Sequence, residues 1–413
     1  MPKVRQTPLK SEYPNHLIGC FDIGKTKQFG YAEAPNGKYI QVFDFANNLA
    51  GFKDCYNKLE SFRRLEGLSG ILMGSESTGS YGEPLTAWLS KQGVKMVGVN
   101  SKHVHRFKEI VGNSPLKSDK KDPIVGTRVI QAGSYYKPLP STGLAGELRE
   151  LTKHRKRISL KENRTLNQLE SQVVRVFPEL LSVMKSLRLT TPIELLEHYP
   201  LPEDIINLGL EDLTKKISKI SRKRLGKDRA LELMEAAKNS IGITSCTTSI
   251  SMIINDLIAE YRFLKEQNKR VELDIQTLLI ESPEATILMT HPGIGHITAA
   301  EIIGETGGLN NFTNAGKVLK LAGLKLYEKS SGIHNGVRRI TKRGRHDLRR
   351  TLYLAGVRMI KKNGVYRKQF EEHIKTMNKP KAIVAIAKKL LRSLFSMVKN
   401  NEVFDASYAE IRK

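Results

Sequence analysis

The chain has 413 residues, with 68 Lys and Arg against 42 Asp and Glu, a formal net charge of +26. That length allows two or three domains, each burying its own core, and so large a cationic surplus calls for a polyanionic partner, either nucleic acid or an anionic membrane. No apolar run approaches the roughly 20 residues of a membrane span, and Cys20, Cys55 and Cys246 are too scattered for a disulfide framework or a zinc cluster, so nucleic acid in a reducing cytosol is expected.

The N-terminus, MPKVRQTPLKSEYPNH, lacks the apolar core of a secretory signal. Residues 17–45 then hold three β-rich runs, with PNG as a turn between the second and third, and predict an antiparallel meander. A helical pattern follows over Phe52–Leu65, then a strand GILMGSE (70–76), a helix over Leu85–Gln92 and a strand VKMVGVN (94–100). Antiparallel strands followed by alternating helix and strand predict a mixed α/β sheet, with residues 1–140 as its domain.

From Gly143 the pattern turns helical. Leu144, Leu148, Leu151, Ile158, Thr165, Leu169 and Val176 recur at helical spacing, around the charged segment TKHRKRISLKENR. Leu257, Tyr261, Leu264, Asn268, Val271, Ile275 and Leu278 form a heptad seam on a second helix. The pair predicts an antiparallel coiled-coil arm over 141–285, interrupted by a small helical insertion at 186–245. Such an arm serves packing or dimer contact, or presents basic faces to nucleic acid.

Residues 286–413 are expected to form a C-terminal helical domain. Within HPGIGHITAAEIIGETGG, the turn Pro292-Gly293-Ile294-Gly295 resembles the hairpin of helix-hairpin-helix modules, where Gly293 and Gly295 would admit a phosphate to backbone N–H groups; a plain αα turn reads equally well. Residues 325–368 hold fourteen Lys and Arg against Glu328 and Asp347. The closing helix KAIVAIAKKLLRSLFSMV is apolar on most sides and should pack in a core.

Four carboxylates call for explanation. Asp22 follows LIGCF and should end the first strand, and Glu76 ends GILMGSE. In RNase H-like sheets the first and fourth strands are neighbours, which would bring the two acids together. In KSDKKDP, Asp122 precedes Pro123, a helix-start pattern, with Asp119 just ahead of it. Singly, these read as a strand-end acid, a surface acid and an N-cap. Jointly, four converging carboxylates repel unless cations neutralise them; Mg2+ is the cation that all-oxygen ligands suit, and Lys117, Lys120 and Lys121 would let a nucleic-acid backbone approach.

Downstream, Ser330 and Ser331 precede Gly332 in a turn, followed by Arg338, Arg339, Lys342, Arg343, Arg345, Arg349 and Arg350. A serine hydroxyl needs a base, a metal or a strongly electropositive setting to act as a nucleophile. The turn therefore reads either as a phosphate-binding loop or as a nucleophile flanked by charge-stabilising arginines. His334 and His346 are near enough in sequence to serve as a base, though surface roles suit both.

The motifs FDIGKT, ESTGSYGEPLTAWLSKQGVKMVGVNSKHVHRFKE, KSDKKDP, HPGIGHITAAEIIGETGGLNNFTNAGKVLKLAGL, SSG, ITKRG and LRR, in this order, resemble the DEDD-type insertion-sequence transposases, a family that includes bridge-RNA-guided recombinases. The resemblance runs from about residue 17 to 408. It implies a RuvC-like N-terminal domain, a coiled-coil arm and a C-terminal transposase domain. It carries a Mg2+-binding tetrad onto Asp22, Glu76, Asp119 and Asp122, and a serine that links covalently to DNA onto Ser331, with Ser330 as alternate. Double-stranded DNA, a structured guide RNA and a homo-oligomer (dimer or tetramer) with composite active sites are the implied partners, in the prokaryotic cytoplasm at the nucleoid. Ser118 and Pro123 stand where the family commonly has Thr and Ala; both suit a helix start.

Three other readings fit part of the pattern. A non-catalytic RNA- or DNA-binding scaffold would be explained by the charge alone. A junction-cutting metal nuclease would use the acids without the serine. A sugar-kinase-like fold would use DIGKT as a phosphate loop, but no second glycine-rich loop accompanies it.

Overall fold

Alternation of side chains about β1 (His16–Ile23) sets the architecture of the N-terminal part: Leu17 and Phe21 face one side, Cys20 and Asp22 the other. The computed structural model of the chain describes residues 13–76, 79–111, 121–136, 143–327, 339–361 and 364–405. They fall into two compact units divided between residues 139 and 140.

In the first unit, β1 pairs antiparallel with β2 (Lys27–Glu33), and β2 with β3 (Tyr39–Ala46), giving the expected meander. The PNG turn closes it, with Gly37 at φ +83°, a conformation L side chains seldom adopt. After α1 (Leu49–Leu65) comes β4 (Gly70–Glu76), then α2 (Glu83–Lys91), β5 (Lys95–Val99), α3 (Ser101–Val111), α4 (Asp122–Gln131) and β6 (Tyr135–Tyr136). The six-stranded mixed sheet runs β3-β2-β1-β4-β5-β6, with β1/β4 and β4/β5 parallel. Phe52 and Leu59 of α1 and Leu85 and Leu89 of α2 bury against Leu17, Phe21, Ile71 and Met73 on one face. Val125, Val129 and Ile130 of α4 bury against Cys20, Leu72, Val97 and Val99 on the other.

The second unit is helical apart from a two-stranded hairpin. It begins with α5 (Gly143–Val176), followed by α6 (Glu179–Met184), α7 (Thr190–His198), α8 (Pro202–Leu208), α9 (Leu210–Ile220) and α10 (Lys227–Lys238), and then α11 (Thr247–Ile280). α12 (Pro283–Thr290), α13 (His296–Thr306), a 3-10 turn at Leu309–Asn311 and α14 (Ala315–Leu321) come next. β7 (Leu326–Tyr327) pairs antiparallel with β8 (Arg339–Ile340), and α15 (His346–Lys361), α16 (Val365–His373) and α17 (Lys379–Asn400) complete the unit.

The helices α5 and α11, 34 residues each, lie antiparallel: Arg155 meets Glu272 at 2.6 Å, and Asn268 Nδ2 donates to Ser159 Oγ at 3.2 Å and Glu162 Oε1 at 3.1 Å. Tyr261, Leu264, Val271 and Ile275 bury in the seam, which extends through Ile250, Ile254 and Ile258; Leu257 and Leu278 sit at its flank, half-buried. The hairpin joins two cores. Its Leu166–Val176 and Ile250–Tyr261 halves pack with the small helices α6–α10, while Leu148, Ile158, Val271, Ile275 and Leu279 share a core with α12–α17. Among the described residues no helix is long and apolar enough to cross a membrane.

Candidate active site

The strand register sets the first two acids. Cys20 lies beside Gly74 and Phe21 beside Ser75 on the parallel pair β1/β4, so Asp22 and Glu76, one residue further along each, end neighbouring strands side by side. Adjacent strands run about 4.8 Å apart, and residues two apart on a strand share a face. Cys20, Asp22, Gly74 and Glu76 therefore share the face that α4 covers.

Two glycines admit α4 to that face. A Cβ on Gly126 would stand 2.4 Å from Cys20 Sγ, and a Cβ on Gly74 would stand 2.4 Å from Ile130 Cδ1. Gly126 thus rests on Cys20, Ile130 on Gly74, and Asp122, one turn ahead of Gly126, is carried toward the strand ends. The Cys20 thiol registers the convergence: burial pushes its pKa up, and the negative charges of Glu76, Asp22 and Asp122 push it further. Its Sγ donates to the Phe21 carbonyl at 3.7 Å.

Ties outside the acids hold them in place. The turn after Asp22 is fixed by buried Gln28, whose Nε2 donates to Gly24 O at 3.0 Å and whose Oε1 accepts from Gly24 N at 3.3 Å. Arg128 Nη1 on α4 donates to Glu33 Oε1 on β2 at 2.7 Å, and Tyr31 OH donates to Glu33 Oε2 at 2.8 Å. Burial would raise the Glu33 carboxyl, but the hydrogen bonds from Arg128 and Tyr31 hold it below its ordinary value, and the Tyr31 phenol is pushed up to about 12, by burial first and the Glu33 carboxylate second. Lys108 Nζ on α3 lies 2.6 Å from Asp122 Oδ1.

Asp122 is the first residue of α4, and Lys121 takes the cap position with no side-chain cap bond. The expected Asp cap is displaced by one residue because the Asp122 carboxylate turns to Lys108 rather than to its own helix. Lys117, Asp119, Lys120, Ser330, Ser331 and Arg338 lie outside the described residues. Among the described residues no group of three or more His, Cys, Asp or Glu side chains is arranged to hold a metal ion.

The remaining candidates sort by environment. Gly293 is buried, a Cβ there would stand 2.2 Å from Met359 Sδ, and its N–H is directed to His291 Nδ1 at 3.4 Å. Packing against α15, not approach to a phosphate, requires glycine at 293. Gly295 is exposed at the cap of α13. Arg345 pairs with buried Glu305 at 3.3 Å, and Arg349 Nη1 donates to the Ala322 carbonyl at 2.9 Å, so both brace the fold. Lys121, Arg339, Lys342, Arg343 and Arg350 are exposed. His346 Nδ1 lies 3.3 Å from Asp347 Oδ1, and the same carboxylate accepts from Lys156 on α5.

Sequence reasoning missed Lys108, Arg128, Gly74 and Gly126. Gly74 and Gly126 carry a local signal, each an isolated glycine inside a strand or helical pattern, where close packing can require it. Lys108 and Arg128 depend on which elements meet.

Residues 20–178 match a DEDD transposase family model, and residues 285–371 match the model described as Transposase IS116/IS110/IS902 family. An uncharacterized protein of insertion element IS110 from Streptomyces coelicolor is 21% identical over 94% of this chain and 96% of its own length. One of insertion element IS116 from Streptomyces clavuligerus is 23% identical over 78% of this chain and 80% of its own, and one of IS900 from Mycobacterium paratuberculosis is 22% identical over 70% and 73%.

Proposed function

The chain belongs to the IS110/IS116 family of DEDD insertion-element transposases, enzymes acting on DNA, and from that premise we propose that it cuts and rejoins DNA through a serine–phosphodiester link at a carboxylate centre built by Asp22, Glu76, Asp119 and Asp122. The observation that carries this reading is the meeting of two strand ends and one helix start, from three distant stretches of chain, around Cys20. Carboxylates gathered at one sheet edge repel one another and favour a cation between them, and Lys108 already meets one of them.

The donor chemistry suits Mg2+, which prefers hard carboxylate oxygens. Asp22, Glu76 and Asp122 would hold it together with Asp119, and Lys108 now neutralises one oxygen of Asp122. When bound, Mg2+ supplies charge stabilisation to the phosphate under attack. Lys108 orients the Asp122 carboxylate, and Arg128 keeps α4 seated on the sheet.

In this reading the Ser331 hydroxyl attacks the scissile phosphorus, with Ser330 as the alternate. A Ser–O–P bond forms, one P–O bond of the strand breaks, and the hydroxyl proton is passed through water to the leaving oxygen, which ends as a free strand hydroxyl. Ser331 and the acids come from different subunits of a homo-oligomer, a RuvC-like sheet domain (1–140), a coiled-coil arm (141–285) and a transposase domain (286–413) divide the work, and an RNA encoded with the element supplies sequence choice. The surplus of cations supports both nucleic-acid partners.

The test is a denaturation-resistant protein–DNA adduct formed by wild type with its element DNA. Ser331→Ala, or Ser330→Ala if that hydroxyl attacks, abolishes it, and Asp22→Asn blocks adduct formation while DNA binding persists. An adduct surviving in both serine variants refutes the serine chemistry. Free cleaved ends in both would instead identify water as the nucleophile, with the acids as a metal nuclease.

A further inference from the structure

A cleft of about 530 Å3 opens between α14, the start of β7 and α17 in the second unit. Five cations line it: Lys317 and Lys320 from α14, Lys325 from the turn before β7, and Lys388 and Arg392 from α17. No acid lines it, and among the described residues none of the five has an ion-pair partner.

That arrangement works against the fold. Lys317 and Lys320 are three apart on one helix, Lys388 and Arg392 four apart on another, so each pair places like charges on adjacent turns, which is destabilising. The two pairs then share a cleft. Lys388 is half-buried, and its ammonium titrates below its ordinary value, through burial first and the Arg392 charge second. A solvated surface would spread such charges. A cleft that concentrates them, with Leu319 and Leu326 as the apolar part of its wall, is completed by an anion.

Resting on the reading of this chain as an enzyme of DNA, we propose that the α14–α17 cleft is a nucleic-acid backbone site that seats consecutive phosphodiesters of one strand. No aromatic ring lines it for bases to stack on, and lysines act as point charges rather than base-reading forks, so the site grips phosphate without reading sequence. DNA and RNA offer the same phosphodiester chemistry, and the assay separates them.

The experiment uses the full-length chain and three probes of arbitrary sequence: a 30-nucleotide DNA strand, the matching RNA strand and the DNA duplex. Affinity is read by fluorescence anisotropy between about 50 and 300 mM salt. The quadruple variant Lys317→Gln, Lys320→Gln, Lys388→Gln, Arg392→Gln is compared with a control that neutralises four cations of the helical insertion, Lys215, Lys219, Lys223 and Lys227. Loss of four phosphate contacts lowers the slope of log affinity against log salt by about 3 and weakens binding at least tenfold at physiological salt, for at least one probe. The probe that loses most identifies the strand. The melting temperature of the cleft variant stays equal to or above that of wild type, because like-charge repulsion has been removed. Wild-type slopes with all three probes, or an equal loss in the control, overturn the proposal. A serine-dependent adduct that persists in such a case leaves the enzymatic reading standing, so the two fail separately.

Discussion

The approach of α4 to the sheet is open to a one-atom test. In Gly126→Ala the new methyl would stand 2.4 Å from Cys20 Sγ and 2.9 Å from Cys20 Cβ, where ordinary contact begins at 3.4 Å. The helix must therefore withdraw by about 1 Å, the difference between 3.4 and 2.4. Overpacking of this kind costs about 1–3 kcal/mol, against which alanine's helix propensity restores about 1 kcal/mol, so the net loss is at most about 2 kcal/mol in urea unfolding. The functional effect is larger in proportion. Asp122 starts the helix one turn ahead and moves with it, and a displacement of about 1 Å at a reacting centre lowers turnover about 100-fold. Adduct formation on element DNA, timed under single-turnover conditions, should fall by that order while DNA affinity holds. Adding Cys20→Ala removes the sulfur and leaves only the 2.9 Å approach, so the double variant should recover most of both losses. Wild-type stability and rate in Gly126→Ala, or a double variant as impaired as the single, would refute the idea that this contact positions Asp122.

Four further outcomes follow from the same geometry. Arg128→Met strands the Glu33 carboxylate beneath α4 and should cost about 1–2 kcal/mol by urea denaturation, with Glu33→Gln in the same background restoring part of it. Lys108→Met leaves Asp122 without its cation, so Mg2+ should raise the melting temperature more in this variant than in wild type; equal shifts would show that Lys108 and the metal do not share that carboxylate. Among the described residues Asn268 Oδ1 is buried without a partner while Nδ2 bonds Ser159 and Glu162, so Asn268→Leu should change stability by less than about 1 kcal/mol while loosening arm register, read as broadened hydrogen exchange along α11. Glu60 is held at about 2, chiefly by hydrogen bonds from Arg63, and Glu33 is also lowered; carboxyls depressed on folding contribute stability that is present above the ordinary value of 4.5 and lost as pH falls towards about 2. The urea midpoint should thus hold from neutral pH to about 5 and decline below it, less steeply in Glu60→Gln.

Local pattern made much of the fold legible. The meander follows from alternation and PNG, and the arm from the Tyr261, Leu264, Val271 and Ile275 spacing, because period and turn chemistry are properties of short segments. α3 was not predicted, although Val104, Phe107 and Val111 recur at helical spacing in SKHVHRFKEIV; Val104 and Phe107 pack in the core beside α4. Asp22 and Glu76 were readable as strand ends, yet their adjacency rests on the β1/β4 register, which no single segment encodes. Arg345 and Arg349 look in sequence like their neighbours Arg343 and Arg350; only the fold shows that Glu305 and the Ala322 carbonyl have claimed them. The α14–α17 cleft joins Lys317 to Lys388 across 71 positions (388 minus 317), and charge counting alone had drawn the eye to the richer stretch between them.

The sulfhydryl of Cys20 has a use beyond packing. Its S–H vibration absorbs in an infrared window that other protein groups leave clear, and its frequency follows the local electric field. Sealed beneath Gly126 and in the field of Asp22, Glu76 and Asp122, it is an unlabelled spectroscopic gauge of their charge: acid titration, charge-neutralising substitution or arrival of a divalent ion would each move one band, legible without a substrate.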